Sequence, residues 1–184
     1  MTIEGLRLIE DFVSPSVESA LLRETNAGEW DAALKRRVRH FGWRYDYSKR
    51  GVGEGAFLGP FPPWLKDLVI RVGVIAGAEF DQAIVNEYLP GQGIAPHVDS
   101  PAFCDVVASL SLGSATVMAF DDSETERRTE LSLPPRSLLV LTGQARWRWR
   151  HGIAPRKSDV VEGRRVSRGR RVSITFRTVM KDRR

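Results

Sequence analysis

The sequence predicts an α+β protein that is mainly β, in which two helices precede a long run of strands. Apolar residues recur with a helical period only before residue 80. From residue 82 onward the period changes to two, as in strands whose side chains alternate between faces. Gly- and Pro-containing turns separate these strands with no helical pattern between them, which is typical of a sandwich or a jelly roll. We expect a single domain over residues 1–184.

The first helix is predicted to begin at Ser14-Pro15, where serine is a suitable N-cap and proline fits the first helical position. Val17, Leu21 and Leu22 form its apolar stripe, and residues 26–28 end it. Residues 38–47 are aromatic and basic and are expected to be extended. The Gly- and Pro-rich stretch 48–63 is predicted to be a loop. A second helix follows, with an apolar stripe at Trp64, Leu65, Leu68, Val69 and Val72.

The strand pattern is clearest at its start. Gln82, Ile84, Asn86 and Tyr88 occupy alternate positions before the Pro90-Gly91 turn, so they share one face. Further β-rich runs are predicted at 94–99, 105–111, 115–120, 129–133, 136–142, 146–151 and 171–179.

Composition favours an ordinary globular protein, with 42% hydrophobic and 28% charged residues among 184. No apolar run approaches the roughly 18 residues needed to span a bilayer, and the N-terminus does not resemble a signal peptide. The one cysteine, Cys104, excludes an internal disulfide and a cysteine-built zinc site. We therefore expect a cytoplasmic monomer with no membrane partner, and a nuclear location stays open.

The net charge of +5 favours a polyanionic partner such as nucleic acid. The basic residues crowd around and after His151, and a solvated loop is the alternative interpretation of such a run. They are Arg146, Arg148, Arg150, Arg156, Lys157, Arg164, Arg165, Arg168, Arg170 and Arg171.

His97-Val98-Asp99 and the distant His151 form a candidate metal site. If 94–99 is a strand, His97 and Asp99 leave the same face, and the fold must return His151 to them. Two imidazoles and one carboxylate on one side of a metal leave three positions open. This facial arrangement is the one that non-haem Fe(II) oxygenases use to hold a co-substrate and dioxygen.

The strand from Arg171 to Arg177 predicts an anion pocket beside that site. Arg171, Ser173, Thr175 and Arg177 alternate with apolar residues and share one face. Burying two arginines is costly unless each meets an anion, and a dicarboxylate supplies two. Asn86 and Tyr88 could add neutral donors. 2-Oxoglutarate is the obvious candidate.

These motifs together resemble the AlkB family of Fe(II)- and 2-oxoglutarate-dependent dioxygenases. The resemblance covers most of the second half of the chain, in the family's order. It rests on Asn86-Glu-Tyr-Leu-Pro-Gly91, His97-Val-Asp99, Ser109-Leu-Ser-Leu-Gly113, Arg136-Ser-Leu-Leu-Val140, His151-Gly-Ile153 and Arg171-Val-Ser-Ile-Thr-Phe-Arg177.

The resemblance implies a double-stranded β-helix (jelly roll) at 81–184, preceded by N-terminal helices and a nucleotide-recognition lid at 1–80. It also implies Fe(II) bound by His97, Asp99 and His151. By the same resemblance, 2-oxoglutarate is held by a polar set in which Arg171 meets the distal carboxylate. That set is Asn86, Tyr88, Arg171, Ser173 and Arg177.

The activity that the resemblance implies is oxidation of an alkylated or modified base, with release of succinate and CO2. The sequences of the motifs look closest to those of the eukaryotic branch that hydroxylates a wobble uridine in tRNA. The compact chain also resembles bacterial members that repair alkylated bases. An AlkB-like dioxygenase acting on protein or lipid, and a non-catalytic nucleic-acid-binding module, stay open as alternatives.

An ordinary structural role, as a satisfied histidine or in core packing, is favoured for the aromatic residues of the expected lid, with stacking on a base as the alternative. They are His40, Phe41, Trp43, Tyr45 and Tyr47. Trp147 and Trp149 are expected to share a strand face with His151 and to pack beside the metal.

Overall fold

A computed structural model describes residues 2–31, 36–46, 48–49 and 51–180. Within these residues the helices are α1 (Pro15–Asn26), α2 (Pro63–Ala76) and α3 (Gly143–Trp147). The strands are β1 (Leu6–Ile9), β2 (Val38–Trp43), β3 (Phe57–Gly59), β4 (Gln82–Tyr88), β5 (Ile94–His97), β6 (Val107–Gly113), β7 (Thr116–Asp122), β8 (Arg128–Leu133), β9 (Leu138–Leu141), β10 (Trp149–Ile153), β11 (Ser158–Val161), β12 (Arg164–Ser167) and β13 (Arg171–Arg177).

The two predicted helices are confirmed. Helix α1 begins after Ser14, whose hydroxyl accepts a hydrogen bond from the Val17 amide at 3.3 Å. Helix α2 ends at Gly77, which adopts the left-handed conformation that glycine tolerates. No helix in the described ranges is long and apolar enough to cross a membrane.

Two antiparallel sheets form the jelly roll, which confirms the predicted fold class. The larger sheet has the order β1-β9-β6-β13-β4-β2-β3, and the smaller one has the order β5-β10-β7-β8. Helices α1 and α2 pack on the outer face of the larger sheet, and its inner face looks towards the smaller sheet. A separate hairpin, β11–β12, follows β10. The proposed division at residue 80 stays a prediction.

Strand β13 shows how the alternation positions the site. Val172, Ile174 and Phe176 are fully buried in the core between the larger sheet and the helices. Arg171 and Arg177, which alternate with them, face the space between the two sheets. The alternation predicted for this strand is therefore confirmed.

The predicted strand at 146–151 is wrong in its first half. Residues 143–147 form α3 instead, and β10 begins at Trp149. The alternation of arginine and tryptophan imitates a strand, but the Arg146 and Arg148 amides donate helical hydrogen bonds to Thr142 and Gln144. Trp147 consequently does not share a strand face with His151.

The structure contains strands in stretches for which the sequence predicts none. The basic segment after residue 156 contains the hairpin β11–β12, whose turn residues Glu162 and Gly163 both have positive φ. Two consecutive positive φ values suit a tight two-residue hairpin turn. Strand β3 lies within 48–63, and β1 was not predicted at all.

Candidate active site

All eight residues proposed for the site line one cavity of about 990 Å³ between the two sheets. The larger sheet contributes β4 and β13, and the smaller sheet contributes β5 and β10. These residues are Asn86, Tyr88, His97, Asp99, His151, Arg171, Ser173 and Arg177.

His97, Asp99 and His151 form a candidate metal site at one part of this cavity. β5 and β10 are antiparallel neighbours, and their register sets His97 directly opposite His151 with 4.6 Å between the ring centroids. His151 Nε2 lies 3.5 Å from Asp99 Oδ2. One potential ligand atom from each of the three residues lies within 4.8 Å of the others. Sheet pairing thus returns His151 to the His-x-Asp motif.

Asp99 reaches the site differently from the prediction. β5 ends at His97, so Asp99 lies beyond the strand rather than in it. The reason is that the main-chain carbonyls of Asp99 and Ser100 accept hydrogen bonds from the Arg146 side chain, at 2.9 Å each, instead of from a neighbouring strand. The expected i, i+2 strand geometry is therefore wrong, although both side chains line the same cavity.

The protonation states of the site suit a divalent metal. Burial lowers the pKa of His151 to about 4, so this imidazole is neutral at neutral pH. Burial acts to raise the pKa of Asp99, but the charges of Arg177 and the neighbouring histidines outweigh it and lower that pKa to about 2. A carboxylate and a neutral imidazole are the forms that bind metal.

The hydrogen bonds of His97 and His151 leave a nitrogen of each ring available to bind a metal. His97 Nδ1 lies 2.9 Å from the Ala95 carbonyl oxygen, so a proton on Nδ1 leaves the lone pair on Nε2. The buried His151 Nδ1 has no hydrogen-bond partner in the described part of the chain. Two imidazoles and one carboxylate match the donor set of a facial Fe(II) site, so the residues present fit this metal.

Arg171 lies in the same cavity and has no anionic partner among the described residues. It is only 3% exposed and donates from Nη2 to Ser111 Oγ at 2.8 Å, while its buried Nε has no hydrogen-bond partner in the described ranges. Burial lowers its pKa. A buried guanidinium without a counter-ion is costly, and a carboxylate from a ligand would relieve that cost. The residues present therefore also fit 2-oxoglutarate.

The other predicted co-substrate residues are held by neighbouring side chains. Asn86 Oδ1 accepts a hydrogen bond from Arg36 Nε at 3.0 Å. The Tyr88 ring lies 5.3 Å from the guanidinium carbon of Arg171. Arg177 pairs with Asp99, at 2.5 Å between Nη2 and Oδ1. The roles of these residues and of Ser173 in binding 2-oxoglutarate stay predictions.

The basic run divides into three groups once its partners are known. Arg146, Arg168 and Arg171 are buried, so they cannot contact a polyanionic partner, and the interpretation of the whole run as a surface for one is wrong for these three. Three others form ion pairs with acidic residues: Arg148, Arg156 and Arg170. The remaining four are exposed and form no ion pair within the described residues: Arg150, Lys157, Arg164 and Arg165.

Three aromatic residues of the expected lid pack against aromatic rings from other parts of the chain. The Trp43 ring contacts Phe57, and the Phe41 ring contacts Trp64. Among the described members of this group, only Tyr45 also lines the cavity, where its ring lies 5.5 Å from that of Phe103.

The remaining expectations for aromatic residues concern His40, Tyr47, Trp147 and Trp149. His40 is partly buried, and burial lowers its pKa to about 4. The prediction for Tyr47 concerns a residue outside the described ranges. Trp149 is buried, whereas Trp147 is 40% exposed and lines the cavity from α3.

Sequence reasoning missed three contributors to this site. Phe103 lines the cavity under the Arg177 guanidinium, at 4.8 Å, and Arg36 lines it beside Asn86. Arg146 binds the segment that carries Asp99. These contacts join residues far apart in the chain, and no local pattern signals them.

Comparison with known proteins identifies the family. A model of the 2OG-Fe(II) oxygenase superfamily matches residues 31–177. Uncharacterized protein L905 of Acanthamoeba polyphaga mimivirus is 37% identical over 98% of this chain and 87% of its own length. The Arabidopsis thaliana protein named alkylated DNA repair protein ALKBH8 homolog is 35% identical over 97% of this chain.

A third relative is the Xenopus tropicalis protein named tRNA (carboxymethyluridine(34)-5-O)-methyltransferase alkbh8, which is 38% identical over 95% of this chain. The chain spans 59% of the Arabidopsis relative and 32% of the Xenopus relative.

The solved structure of OsALKBH1 has the same fold. It superposes with a TM-score of 0.70 at 18% identity, over 97% of this chain and 100% of that one. Fold, family model and relatives agree with the metal and anion sites in the cavity. The chain belongs to the AlkB family of the 2OG-Fe(II) oxygenase superfamily, and it is a dioxygenase that uses Fe(II), 2-oxoglutarate and dioxygen.

Proposed function

We propose that this protein oxidises a modified base in single-stranded or tRNA-like nucleic acid. The observation that carries the proposal is the cavity itself. Its volume of about 990 Å³ lies at the upper end of the range of about 300–1,000 Å³ for small-molecule sites. A five-carbon dicarboxylate leaves much of that volume free, so a base can enter beside it. The base must be unpaired or flipped out, because a buried metal cannot reach a carbon inside a paired stack.

The four exposed cations supply a surface for the phosphates. Arg150 lines the cavity directly before His151, and Lys157, Arg164 and Arg165 lie on and next to the hairpin β11–β12 that follows β10. Cations that neutralise phosphates make binding dependent on salt and largely independent of sequence. Tyr45 lies at the cavity wall, where an aromatic ring could stack on the base.

The names of two relatives point in the same direction. The Arabidopsis relative is named for repair of alkylated DNA, and the Xenopus relative for modification of a tRNA uridine. Both names concern nucleic acid. We therefore favour nucleic acid over protein or lipid as the substrate class.

The proposed reaction consumes one 2-oxoglutarate, one dioxygen and one C–H bond. The products are succinate, CO2 and an alcohol, with one oxygen atom entering the succinate carboxylate and the other the alcohol. Bound Fe(II) supplies the redox chemistry that activates dioxygen. If the oxidised carbon is attached to nitrogen, the alcohol collapses to an aldehyde and a dealkylated base. Otherwise the alcohol is stable.

The chain's own residues have defined parts in this reaction. His97, Asp99 and His151 hold the metal on one face and leave the other open. Arg171 binds the distal carboxylate of 2-oxoglutarate, with Ser173, Asn86 and Tyr88 beside it. Arg177 offsets the charge of Asp99.

The test is mass spectrometry of tRNA and of alkylated single-stranded oligonucleotides after incubation with protein, Fe(II) and 2-oxoglutarate. We expect a hydroxylated or dealkylated base, together with stoichiometric succinate, and no product with Asp99→Ala. If a peptide or a lipid stimulates succinate release and no nucleic acid does, the substrate proposal is wrong. The assignment to the dioxygenase family would be unaffected.

A further inference from the structure

Arg146 is the most buried charged residue among those described. The residue as a whole is 1% exposed, yet it forms no ion pair in this part of the chain. The guanidinium instead donates to four main-chain carbonyl oxygens: Asp99 at 2.9 Å, Ser100 at 2.9 Å, Phe103 at 3.1 Å and Cys104 at 3.2 Å. Arginine's rigid fork with five donors suits this arrangement, which a single ammonium group cannot reproduce.

The four acceptors belong to one short segment, residues 99–104, which begins with the candidate iron ligand Asp99. This segment has no ladder of strand hydrogen bonds over Asp99 and Ser100, because β5 ends at His97. Buried carbonyls need donors, and Arg146 supplies them. The Arg146 side chain therefore replaces a neighbouring strand at the point where the metal carboxylate leaves the sheet.

The same region of chain also carries the second imidazole. Helix α3 ends at Trp147 and β10 brings His151 opposite His97. Trp147 packs against the guanidinium, with 4.0 Å from the Arg146 guanidinium carbon to the ring centroid. A single short stretch thus supplies His151 and fixes the backbone of Asp99.

We infer that Arg146 is a positioning residue for the metal site: it holds the 99–104 segment so that the Asp99 carboxylate meets His97 and His151. The inference rests on Asp99 being a metal ligand, and it does not depend on nucleic acid being the substrate. Losing the fork frees the backbone of Asp99, so a metal loses a preorganised ligand while the two histidines stay in place.

The test compares Arg146→Lys with Arg148→Lys in metal-free protein. Arg148 is a matched control: it also makes two short side-chain hydrogen bonds, to Asp122 at 2.6 Å each, but it does not contact 99–104. Co(II) is titrated into each protein, and binding is followed by the visible spectrum of the metal. Thermal unfolding without metal measures the general loss of stability.

We expect Arg146→Lys to weaken Co(II) binding at least tenfold and to change the Co(II) spectrum. Arg148→Lys should keep both within twofold of the wild type, even if it lowers the unfolding temperature similarly. At saturating Fe(II), the KM for 2-oxoglutarate of Arg146→Lys should stay near the wild-type value. A folded Arg146→Lys protein with wild-type Co(II) affinity and spectrum would overturn the inference.

If Arg146→Lys does not fold, Trp147→Leu provides the test. This variant keeps every donor of Arg146 and removes the ring against which the guanidinium lies, together with the hydrogen bond of 3.1 Å from Trp147 Nε1 to Asp105. We expect Trp147→Leu to weaken Co(II) binding severalfold and to change the Co(II) spectrum in the same direction as Arg146→Lys does. Wild-type Co(II) binding by this variant would contradict the proposed role of Arg146.

Discussion

Arg177 and Asp99 form an ion pair inside the cavity, with 2.5 Å between Nη2 and Oδ1. The guanidinium of Arg177 also lies over the ring of Phe103, whose other neighbour is Tyr45. Burial acts to raise the pKa of Asp99, and Arg177 is the largest of the charges that lower it to about 2. The carboxylate is therefore ionised before any metal binds.

Replacing any one of His97, Asp99 or His151 by alanine should abolish iron binding and turnover. Two remaining ligands cannot hold the metal in a facial geometry with three open positions. The measurements are metal content after dialysis against Fe(II) without oxygen, and succinate release. Normal succinate formation by Asp99→Ala would refute the assignment of these residues.

Arg171→Ala should raise the 2-oxoglutarate requirement while iron binding stays nearly intact. Removing a charged hydrogen-bond partner of a carboxylate costs on the order of 2–4 kcal/mol. Two quantities are measured for this variant: the KM for 2-oxoglutarate and the affinity for Co(II). Ser111→Ala is a useful control, because it removes the protein partner of Arg171 Nη2 and leaves the guanidinium. Loss of iron binding with a normal 2-oxoglutarate requirement would show that Arg171 is wrongly assigned.

Asp159→Asn should lower the free energy of unfolding by about 3–5 kcal/mol at neutral pH, as expected when one partner of a buried pair is removed. The Asp159 carboxylate accepts hydrogen bonds from Arg168 Nε at 2.6 Å and from Arg156 Nε at 2.7 Å. Asp121→Asn is the control, since Asp121 pairs with the exposed Arg128 and should contribute about 0–1 kcal/mol. Denaturation by urea measures both differences.

The same carboxylate predicts how this stability depends on pH. Burial acts to raise the pKa of Asp159, but the hydrogen bonds from Arg168 and Arg156 outweigh it and lower the pKa below its ordinary value. A depressed pKa in the folded state gives stability that is present above the unfolded pKa of about 3.9 and lost as pH falls through the folded value. The difference between wild type and Asp159→Asn should therefore be constant above about pH 5 and shrink in stronger acid. A difference that grows in acid would contradict this.

Arg164→Glu with Arg165→Glu should weaken nucleic-acid binding for all sequences and reduce its salt dependence. Fewer neutralised phosphates release fewer counter-ions, so the slope of log K against log salt becomes shallower. Arg23→Glu with Lys66→Glu changes the net charge equally on exposed positions of α1 and α2, away from the cavity. Fluorescence anisotropy at several salt concentrations makes the comparison. If the two double variants weaken nucleic-acid binding equally, only the net charge of the protein determines that binding.

The sequence by itself determined the alternation in β13 and the residue types of the site. A period of two is local, so the arginines and Ser173 could be assigned to one face of the strand before its neighbours were known. The His-x-Asp and His-Gly-Ile motifs, with Arg171 and Arg177, indicated an Fe(II) and 2-oxoglutarate enzyme because the donor types define that chemistry. Helices α1 and α2 followed from caps and apolar stripes, which are also local signals.

Only the tertiary structure decided where β5 ends and why Asp99 lies outside it. It also decided which cations are exposed and form no ion pair within the described residues. Arg146 and Arg150 look alike in the sequence, yet the first donates to four main-chain carbonyls and the second is exposed. Arg168 likewise differs from Arg165 because Asp159 pairs with it. Each of these outcomes depends on which distant segment the sheets bring alongside. A charged group or a carbonyl acquires its partner only when the sheets bring the two segments together. No local periodicity in the sequence encodes which segments those are.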